Sequence, residues 1–419
     1  MFRDRPKILA ICYTIDPKLG SEPGAAWGVV KTLMEVADVD VLVPSIEYDQ
    51  LEAWRQQEQE DRLRFVEVHP SATSSTFRRL SHLDSGPFSW FLKAEFVAYW
   101  IWLSAAKRVG LELEKEVQYD AAIHVSYASY WLPSPVVDFK APGIWGPVGG
   151  ATRTPIPIWR YLGMKGVGGE LLKFMAVRLV SLLPTVRRTW FKADYRLTET
   201  ENTRLALPKA LQAGTGVLNR AALQNVPQRD DVSRQSYILF PSRLQPRKGP
   251  RLAIDALRYA GPDVRLVFVA DGMERGALQR MAKRIGVADK IEFRGWVERD
   301  EMFRMVCEAG AVLFTGTREE GGCALSEAMQ LGTPVIVLGV GGAKLLAETN
   351  TDPARVAIVE PDRNAAKELG RSMTAFASHP SQETSCFLDR DAVTNELLDV
   401  LAQAVESNGR QLCLPDNQV

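Results

Sequence analysis

Lys7-Ile8-Leu9-Ala10-Ile11-Cys12-Tyr13, then Gly20-Ser21-Glu22-Pro23-Gly24, then Val39-Asp40-Val41-Leu42-Val43: this opening stretch decides the fold. The first run is apolar and reads as a strand. The glycine loop follows, and Trp27, Val30, Leu33 and Met34 recur at helical spacing. Val39 to Val43 is a second strand. Strand, glycine loop, helix and strand make one βαβ unit, and such units build parallel sheets. Shorter apolar runs extend the sheet: Arg64 to Val68, Ala121 to Ser126, Gly143 to Trp145 and Tyr195 to Thr198.

The second half restarts the pattern. Tyr237 to Pro241 reads as a strand and Arg251 to Tyr259 as a helix. Val264 to Ala270 is continuous in apolar and β-branched residues, as expected of a strand covered on both faces. Ile291 to Phe293, Ala311 to Thr315, Pro334 to Leu338 and Val356 to Val359 continue it. The expected organisation is a first domain over 1–223, a polar linker over 224–234, a second domain over 235–385, a further segment over 386–407 and a polar tail over 408–419. Both domains are expected to be α/β with parallel sheets. Ligands of such sheets bind beyond the carboxyl ends of the strands, so two facing domains would place the site in the cleft between them.

Composition agrees with this plan. A chain of 419 residues is too long for one ordinary core, and two domains of roughly 200 residues are the natural division. Hydrophobic residues make up 46% and charged residues 24%, as in soluble globular proteins. The 51 basic and 51 acidic residues balance, which gives no support to a nucleic-acid partner. Cys12, Cys307, Cys323, Cys386 and Cys413 are scattered and odd in number, so neither a zinc site nor a disulfide framework is expected. A reducing, cytoplasmic setting fits. The run Ile8 to Tyr13 is too short for the apolar core of a signal peptide. Phe96 to Ala106, preceded by Lys93 and Glu95, is too short to span a bilayer and reads as a buried helix.

Two segments carry chemistry. Glu319-Glu320-Gly321-Gly322-Cys323-Ala324-Leu325-Ser326-Glu327 follows a strand and enters a helix. Its glycines let the backbone approach a ligand and leave the first helical N–H groups facing an anion. Glu319 on the loop and Glu327 two turns into the helix can reach one elongated ligand. A glycine-entered helix with solvated acids explains the same residues equally well. Pro241-Ser242-Arg243-Leu244-Gln245-Pro246-Arg247-Lys248-Gly249 closes a strand and brings Arg243 and Lys248 to its carboxyl end, where a diphosphate suits them. A solvated basic loop is the plainer alternative.

Taken in order, these pieces resemble family 4 of the glycosyltransferases, the retaining group 1 enzymes of GT-B fold. The resemblance rests on Ser242-Arg243-Leu244 with Arg247-Lys248-Gly249, Ala270-Asp271-Gly272-Met273, Phe293-Arg294-Gly295-Trp296-Val297, and Glu319 and Glu327 followed by Ala328-Met329-Gln330-Leu331-Gly332-Thr333-Pro334-Val335. In the first half, Gly20-Ser21-Glu22-Pro23-Gly24, Ile123-His124 with Tyr127, Trp145 to Gly150, and Thr198 to Thr203 with Leu207-Pro208 match less specifically. The likeness runs from about Lys7 to Glu360.

The resemblance implies two Rossmann-like domains, the first presenting the acceptor and the second binding the nucleotide sugar, with the helix of 386–407 packing back on the first. It implies retaining, metal-independent transfer of a hexosyl group from a nucleotide-diphosphate sugar, with no cofactor. The acceptor would be a carbohydrate or a lipid-linked molecule, in polysaccharide, glycolipid or lipid-linked glycan synthesis. Glu319 would hold sugar hydroxyls and Glu327 the ribose. Arg243 and Lys248 would neutralise the diphosphate, with the backbone at Gly321, Gly322, Cys323 and Ala324 adding to that field. Gly20 and Gly272 would lie at the donor and Val297 near the base. His124 would bond the donor sugar or ease acceptor deprotonation, although a lone histidine is commonly structural. The chain departs from the family where Gly-Phe-Gly is usual and Glu320-Gly321-Gly322 stands, so either Glu319 or Glu320 could contact the sugar. A sugar-nucleotide epimerase or hydrolase on the same fold, or a binding protein without turnover, would share most of these residues.

Two further segments need a reading. Gly339-Val340-Gly341-Gly342 imitates a dinucleotide fingerprint, but Lys344 occupies its last glycine position. It is either a second loop beside the donor or a tight turn. Trp159 to Lys192 holds Arg160, Lys165, Lys173, Arg178, Arg187, Arg188 and Lys192 against the single acid Glu170, interleaved with apolar residues. Such a stretch is either a domain helix with a basic outer face or a basic amphipathic helix lying on the inner face of an anionic membrane.

Overall fold

The computed structural model describes residues 5–69, 94–227 and 233–409, with the side chains of 94–97 excepted. Lys93, His82, Cys413, the middle of the 224–234 linker and all but the start of the 408–419 tail lie outside the described residues. The chain divides into two compact units. The first comprises the spans Met1–Ala151, Leu172–Gln224 and Arg390–Val419, and the second Thr152–Leu171 and Asn225–Asp389.

In the first unit the strands are β1 (Lys7–Cys12), β2 (Asp38–Pro44), β3 (Leu63–Val68), β4 (Ala121–Ser126), β5 (Gly143–Val148), β6 (Tyr195–Thr198) and β7 (Thr215–Val217). They form one sheet in the order β3-β2-β1-β4-β5-β6-β7. All pairs are parallel, with Ile8 opposite both Val39 and Ala121. The opening βαβ unit is present as read, its helix running Ser21–Val36. Burial explains why: Ile8 to Cys12 are fully buried, and the helix sets Ala26, Val29, Val30 and Leu33 into the core. The apolar stretch in the first half belongs to a helix, Ala94–Glu116. Its Tyr99, Trp102, Leu103 and Ala106 are buried. The helix Arg390–Ser407 belongs to this unit through buried Leu397, Leu398 and Leu401. The short strand β7 carries no apolar periodicity and was not expected from the sequence.

The second unit has β8 (Tyr237–Phe240), β9 (Arg265–Val269), β10 (Ile291–Gly295), β11 (Ala311–Phe314), β12 (Val335–Leu338) and β13 (Val356–Val359). Their order is β10-β9-β8-β11-β12-β13, again parallel. Ile238, Phe240, Leu266, Phe268, Leu313 and Ile336 join the core on the sheet, and helix residues Leu252, Leu257, Leu369 and Met373 close over them.

Strand order locates where a ligand can sit. In each sheet the order reverses once, between β1 and β4 and between β8 and β11. Loops leaving the carboxyl ends of such a pair diverge to opposite faces and open a crevice. In the second unit those loops are 241–249 after β8 and 315–322 after β11. These are the two segments that the sequence singled out.

The basic stretch 159–192 is not one helix. A 3-10 turn covers Ile156–Tyr161, and two helices follow, Gly163–Val180 and Pro184–Lys192. Pro184 stands at the start of the second helix, since proline tolerates the first turn and disrupts an interior.

Candidate functional site

At the switch point of the second unit, Lys248 ends a 3-10 turn, Pro246–Lys248, and Gly249 follows in the left-handed conformation (φ 69°). A side chain at Gly249 would meet the Thr315 carbonyl at 2.0 Å. Thr315 Oγ1 donates to the Gly249 carbonyl (2.9 Å), and Thr317 N donates to the Arg247 carbonyl (2.9 Å). The two loops are therefore laced together by their backbones before any side chain is considered.

On that frame Lys248 Nζ donates to both oxygens of Glu319, at 2.7 and 3.0 Å. Both side chains are about four-fifths buried, at 20% and 18% exposure. Burial pushes the Glu319 carboxyl up, but Lys248, with Arg247 and Arg318, more than offsets this and holds it below its ordinary range. The Glu319 carbonyl accepts from Gly342 N (2.9 Å), and a side chain at Gly341 (φ 56°) would strike it at 2.2 Å. The 339–342 loop thus acts as a clamp on the Glu319 backbone, which explains its glycines without a dinucleotide.

Glu320 faces elsewhere. Its carboxylate accepts from Thr152 N and Thr152 Oγ1, both at 2.9 Å. Gly322 caps the helix Cys323–Gln330 in the left-handed conformation (φ 77°), offering no side-chain cap. Gly321 precedes it, and Cys323 and Ala324 form the helix's first turn. Glu327 lies on the same helix, with Arg299 NH2 donating to its Oε1 at 3.2 Å. Burial raises its pKa to about 7, against the opposing pull of Arg299.

Arg243, after β8, lies with its guanidinium 5.6 Å from the ring centre of Trp296, which is itself 65% exposed. Val297 follows Trp296 at the end of β10. Gly272 is wedged beside the loop after β8: Leu244 N donates to the Asp271 carbonyl (3.1 Å) and Glu274 N to the Leu244 carbonyl (3.2 Å). Arg243, Lys248, Gly272, Val297, Glu319, Gly321, Gly322, Cys323, Ala324 and Glu327 therefore all lie in the second unit, on loops and helix starts beyond the carboxyl ends of its strands. A cavity of about 460 Å³ lined by Tyr237, Arg265, Glu292, Arg294 and Arg304 opens instead at the amino ends of β8 and β9, away from these groups. Among the described residues no cluster of three or more His, Cys, Asp or Glu forms a metal-ligand set.

The first unit holds Gly20 and His124. Gly20 caps the helix Ser21–Val36 in an extended conformation. His124 is 1% exposed. Its Nε2 is 2.9 Å from Tyr99 Oη and its Nδ1 2.9 Å from Ser134 Oγ. Burial, helped by the charge of Arg220, lowers its pKa to about 3. The ring is neutral and enclosed, so direct contact with a sugar would require one of these bonds to open.

Arg220 is the residue that sequence reasoning missed. Its side chain is 4% exposed. It donates to Glu199 (2.6 Å), to the Val125 carbonyl (2.7 Å) and to both oxygens of Glu22 (2.8 Å each). Burial opposes its charge, but Glu199 and Glu22 outweigh that and raise its pKa. Glu22 also accepts from Tyr127 N (2.8 Å), and Tyr127 and Ser21 hold positive φ of 57° and 61°. Such backbone is uncommon for these residue types and gathers at ligand sites. One arginine thereby ties the glycine loop after β1 to the ends of β4 and β6. Nothing local in the sequence marks it, because its partners lie 21 to 198 residues away. Arg299 escaped for the same reason, 28 residues from Glu327.

Solved structures of similar fold include an Anabaena HepE in complex with UDP and glucose, with TM-score 0.55, 16% identity, and coverage of 96% of this chain and 99% of that one. A second is the lipopolysaccharide outer core galactosyltransferase WaaB, with TM-score 0.53, 13% identity and the same coverages. At such identities the likeness speaks for the fold alone, and that fold is GT-B. Residues 225–382 match the family described as glycosyl transferases group 1. Curated relatives include the 2-deoxystreptamine glucosyltransferase of Streptomyces kanamyceticus, 34% identical over 25% of this chain and 27% of the relative. The D-inositol 3-phosphate glycosyltransferase of Mycolicibacterium gilvum is 30% identical over 39% of this chain and 36% of the relative. The chain thus matches about a quarter to two-fifths of the length of these relatives.

Proposed function

We propose that this protein transfers a sugar from a nucleotide-diphosphate donor to an acceptor hydroxyl with retention of anomeric configuration. The observation that carries the reading is the Lys248–Glu319 pair, contributed by the two loops at the switch point of a group 1 domain. In the transfer, the bond from the anomeric carbon to the diphosphate oxygen breaks. A bond to the acceptor oxygen forms on the same face, and the proton of the acceptor hydroxyl passes to the departing diphosphate oxygen. Negative charge grows on the leaving diphosphate, and preorganised cations there stabilise the transition state more than the ground state.

Lys248 and Arg243 fill that role. An ammonium carries three donors, so Lys248 can hold Glu319 and still offer an N–H to a phosphate oxygen. Glu319, kept ionised, accepts hydroxyls of the donor sugar. Glu320 is directed to Thr152, which favours Glu319 as the sugar contact. Glu327 accepts from the ribose, and Trp296 with Val297 flanks the base. The 323–330 helix start and Gly272 face the diphosphate; in the first unit, Gly20 stands on the glycine loop after β1. Arg220 is a positioning residue for that loop, and His124 acts through the core that it braces. A uridine-diphosphate hexose is the donor class to test first, since the HepE structure holds UDP and glucose. The acceptor is a carbohydrate or lipid-linked molecule.

A panel of nucleotide sugars, scored by thermal shift and then by release of nucleoside diphosphate with and without acceptors, tests the reading. Acceptor-dependent release that is lost in Lys248→Ala is expected. Acceptor-independent conversion of the sugar would replace the proposal with an epimerase or hydrolase. Binding without any turnover across acceptors would replace it with a binding protein.

A further inference from the structure

We propose that the surface formed by residues 172–192 docks on an anionic lipid bilayer. The helix Pro184–Lys192 buries Val186, Thr189 and Trp190 and turns Arg187, Phe191 and Lys192 outward, whereas the helix before it buries almost nothing. Within Gly163–Val180 only Val177 is buried. Fifteen large apolar side chains of the described chain are exposed, and Phe174, Met175, Leu179, Leu182, Leu183 and Phe191 are six of them. Met175, Leu179, Leu182 and Phe191 are each more than half exposed. So dense an apolar surface on a folded chain marks an interaction site.

Charge selects the partner. From residue 171 to 193 there are five basic residues and no acid. Arg188 is paired with Asp138, but Arg178, Arg187 and Lys192 stand exposed among the apolar side chains. Two acids flank the segment: Glu170, drawn away by Arg318 at 2.6 Å and 14% exposed, and Asp194, whose carboxylate accepts from Gly143 N at 2.8 Å. Apolar side chains with interspersed cations suit a bilayer, where the apolar groups enter the acyl boundary and the basic stems reach the headgroups. A second copy of the chain would set these cations against each other. Among the described residues no helix is long and apolar enough to cross a membrane.

This inference does not depend on the donor chemistry. The test is co-sedimentation of the full chain with vesicles of phosphatidylcholine alone and with roughly one-third phosphatidylglycerol, across a salt series. Binding to the anionic vesicles, weakened by salt, is expected. Each cation near such a surface contributes roughly a five-fold factor, so Arg187→Glu with Lys192→Glu is expected to weaken binding at least about ten-fold. Met175→Glu with Leu179→Glu is expected to do the same, while melting temperature and turnover of soluble donor stay unchanged in both variants. Failure of the unmodified chain to sediment with anionic vesicles at any salt, or equal binding by both variants, overturns the proposal. So does a concentration-dependent dimer that Met175→Glu with Leu179→Glu abolishes, which would make the face a protein interface. Because donor turnover is read without lipid, loss of this inference leaves the transferase reading standing, and the reverse.

Discussion

Replacing Glu327 with Gln should make the protein less sensitive to alkaline pH. The native carboxyl titrates at about 7, against an ordinary value of 4.5. At pH 8 it is ionised in both folded and unfolded chains, and the native state bears the whole disadvantage of a charge held in a buried place. One pKa unit corresponds to about 1.4 kcal/mol, so the disadvantage is about 3 kcal/mol there. At pH 5 the native carboxyl is protonated while the unfolded one has largely ionised, and less than about 1 kcal/mol remains. Stability linked to this group is therefore full below pH 4.5 and lost as the pH rises through about 7. Glutamine does not titrate. The Arg299 pairing is made by the ionised carboxyl, and its pull is already contained in the value of about 7. The fall in melting temperature between pH 5 and pH 8 should shrink by about 5–10 °C in the variant, given 2–4 °C per kcal/mol for a unit of this size. Thermal unfolding at the two pH values, followed by circular dichroism, measures it. An unchanged pH dependence would refute the claim that Glu327 is held in a desolvated place.

Lys248→Ala should lower sugar transfer at least about a hundred-fold with the fold intact, read by steady-state turnover and far-ultraviolet dichroism. Normal rates would remove the diphosphate site from these loops. Gly341→Ala should push the Glu319 carbonyl and destabilise by more than about 1 kcal/mol, with turnover reduced, since the residue sits at φ 56° and a side chain would meet that carbonyl at 2.2 Å. Arg220→Met should cost about 3–5 kcal/mol in a urea titration by stranding Glu22 and Glu199. An unaltered midpoint would show the network to be dispensable. The ring resonances of His124 should stay flat between pH 5 and pH 8 in a nuclear magnetic resonance titration, because its pKa of about 3 lies below that window.

By itself the sequence determined every strand of the two parallel sheets except β7, and the order of the motifs that resemble the glycosyltransferase family. Those features are carried by periodicity, glycine placement and short spacings, which are local. Continuous apolar runs such as Val264 to Ala270 have few alternatives to a strand covered on both faces. Local physics left the Glu319 segment evenly divided between a capped helix and a ligand site. The tertiary structure added what distance along the chain conceals. It paired Glu319 with Lys248 and turned Glu320 toward Thr152. It made the 339–342 glycines a clamp on the Glu319 carbonyl, enclosed His124 between Tyr99 and Ser134, and raised Arg220 to the centre of a network. It also exposed the apolar face of 172–192, which the sequence had left open between two readings. Each of these depends on which side chains share a buried, low-dielectric place. That is set by strand order and loop closure across tens to hundreds of residues, and no local pattern encodes it.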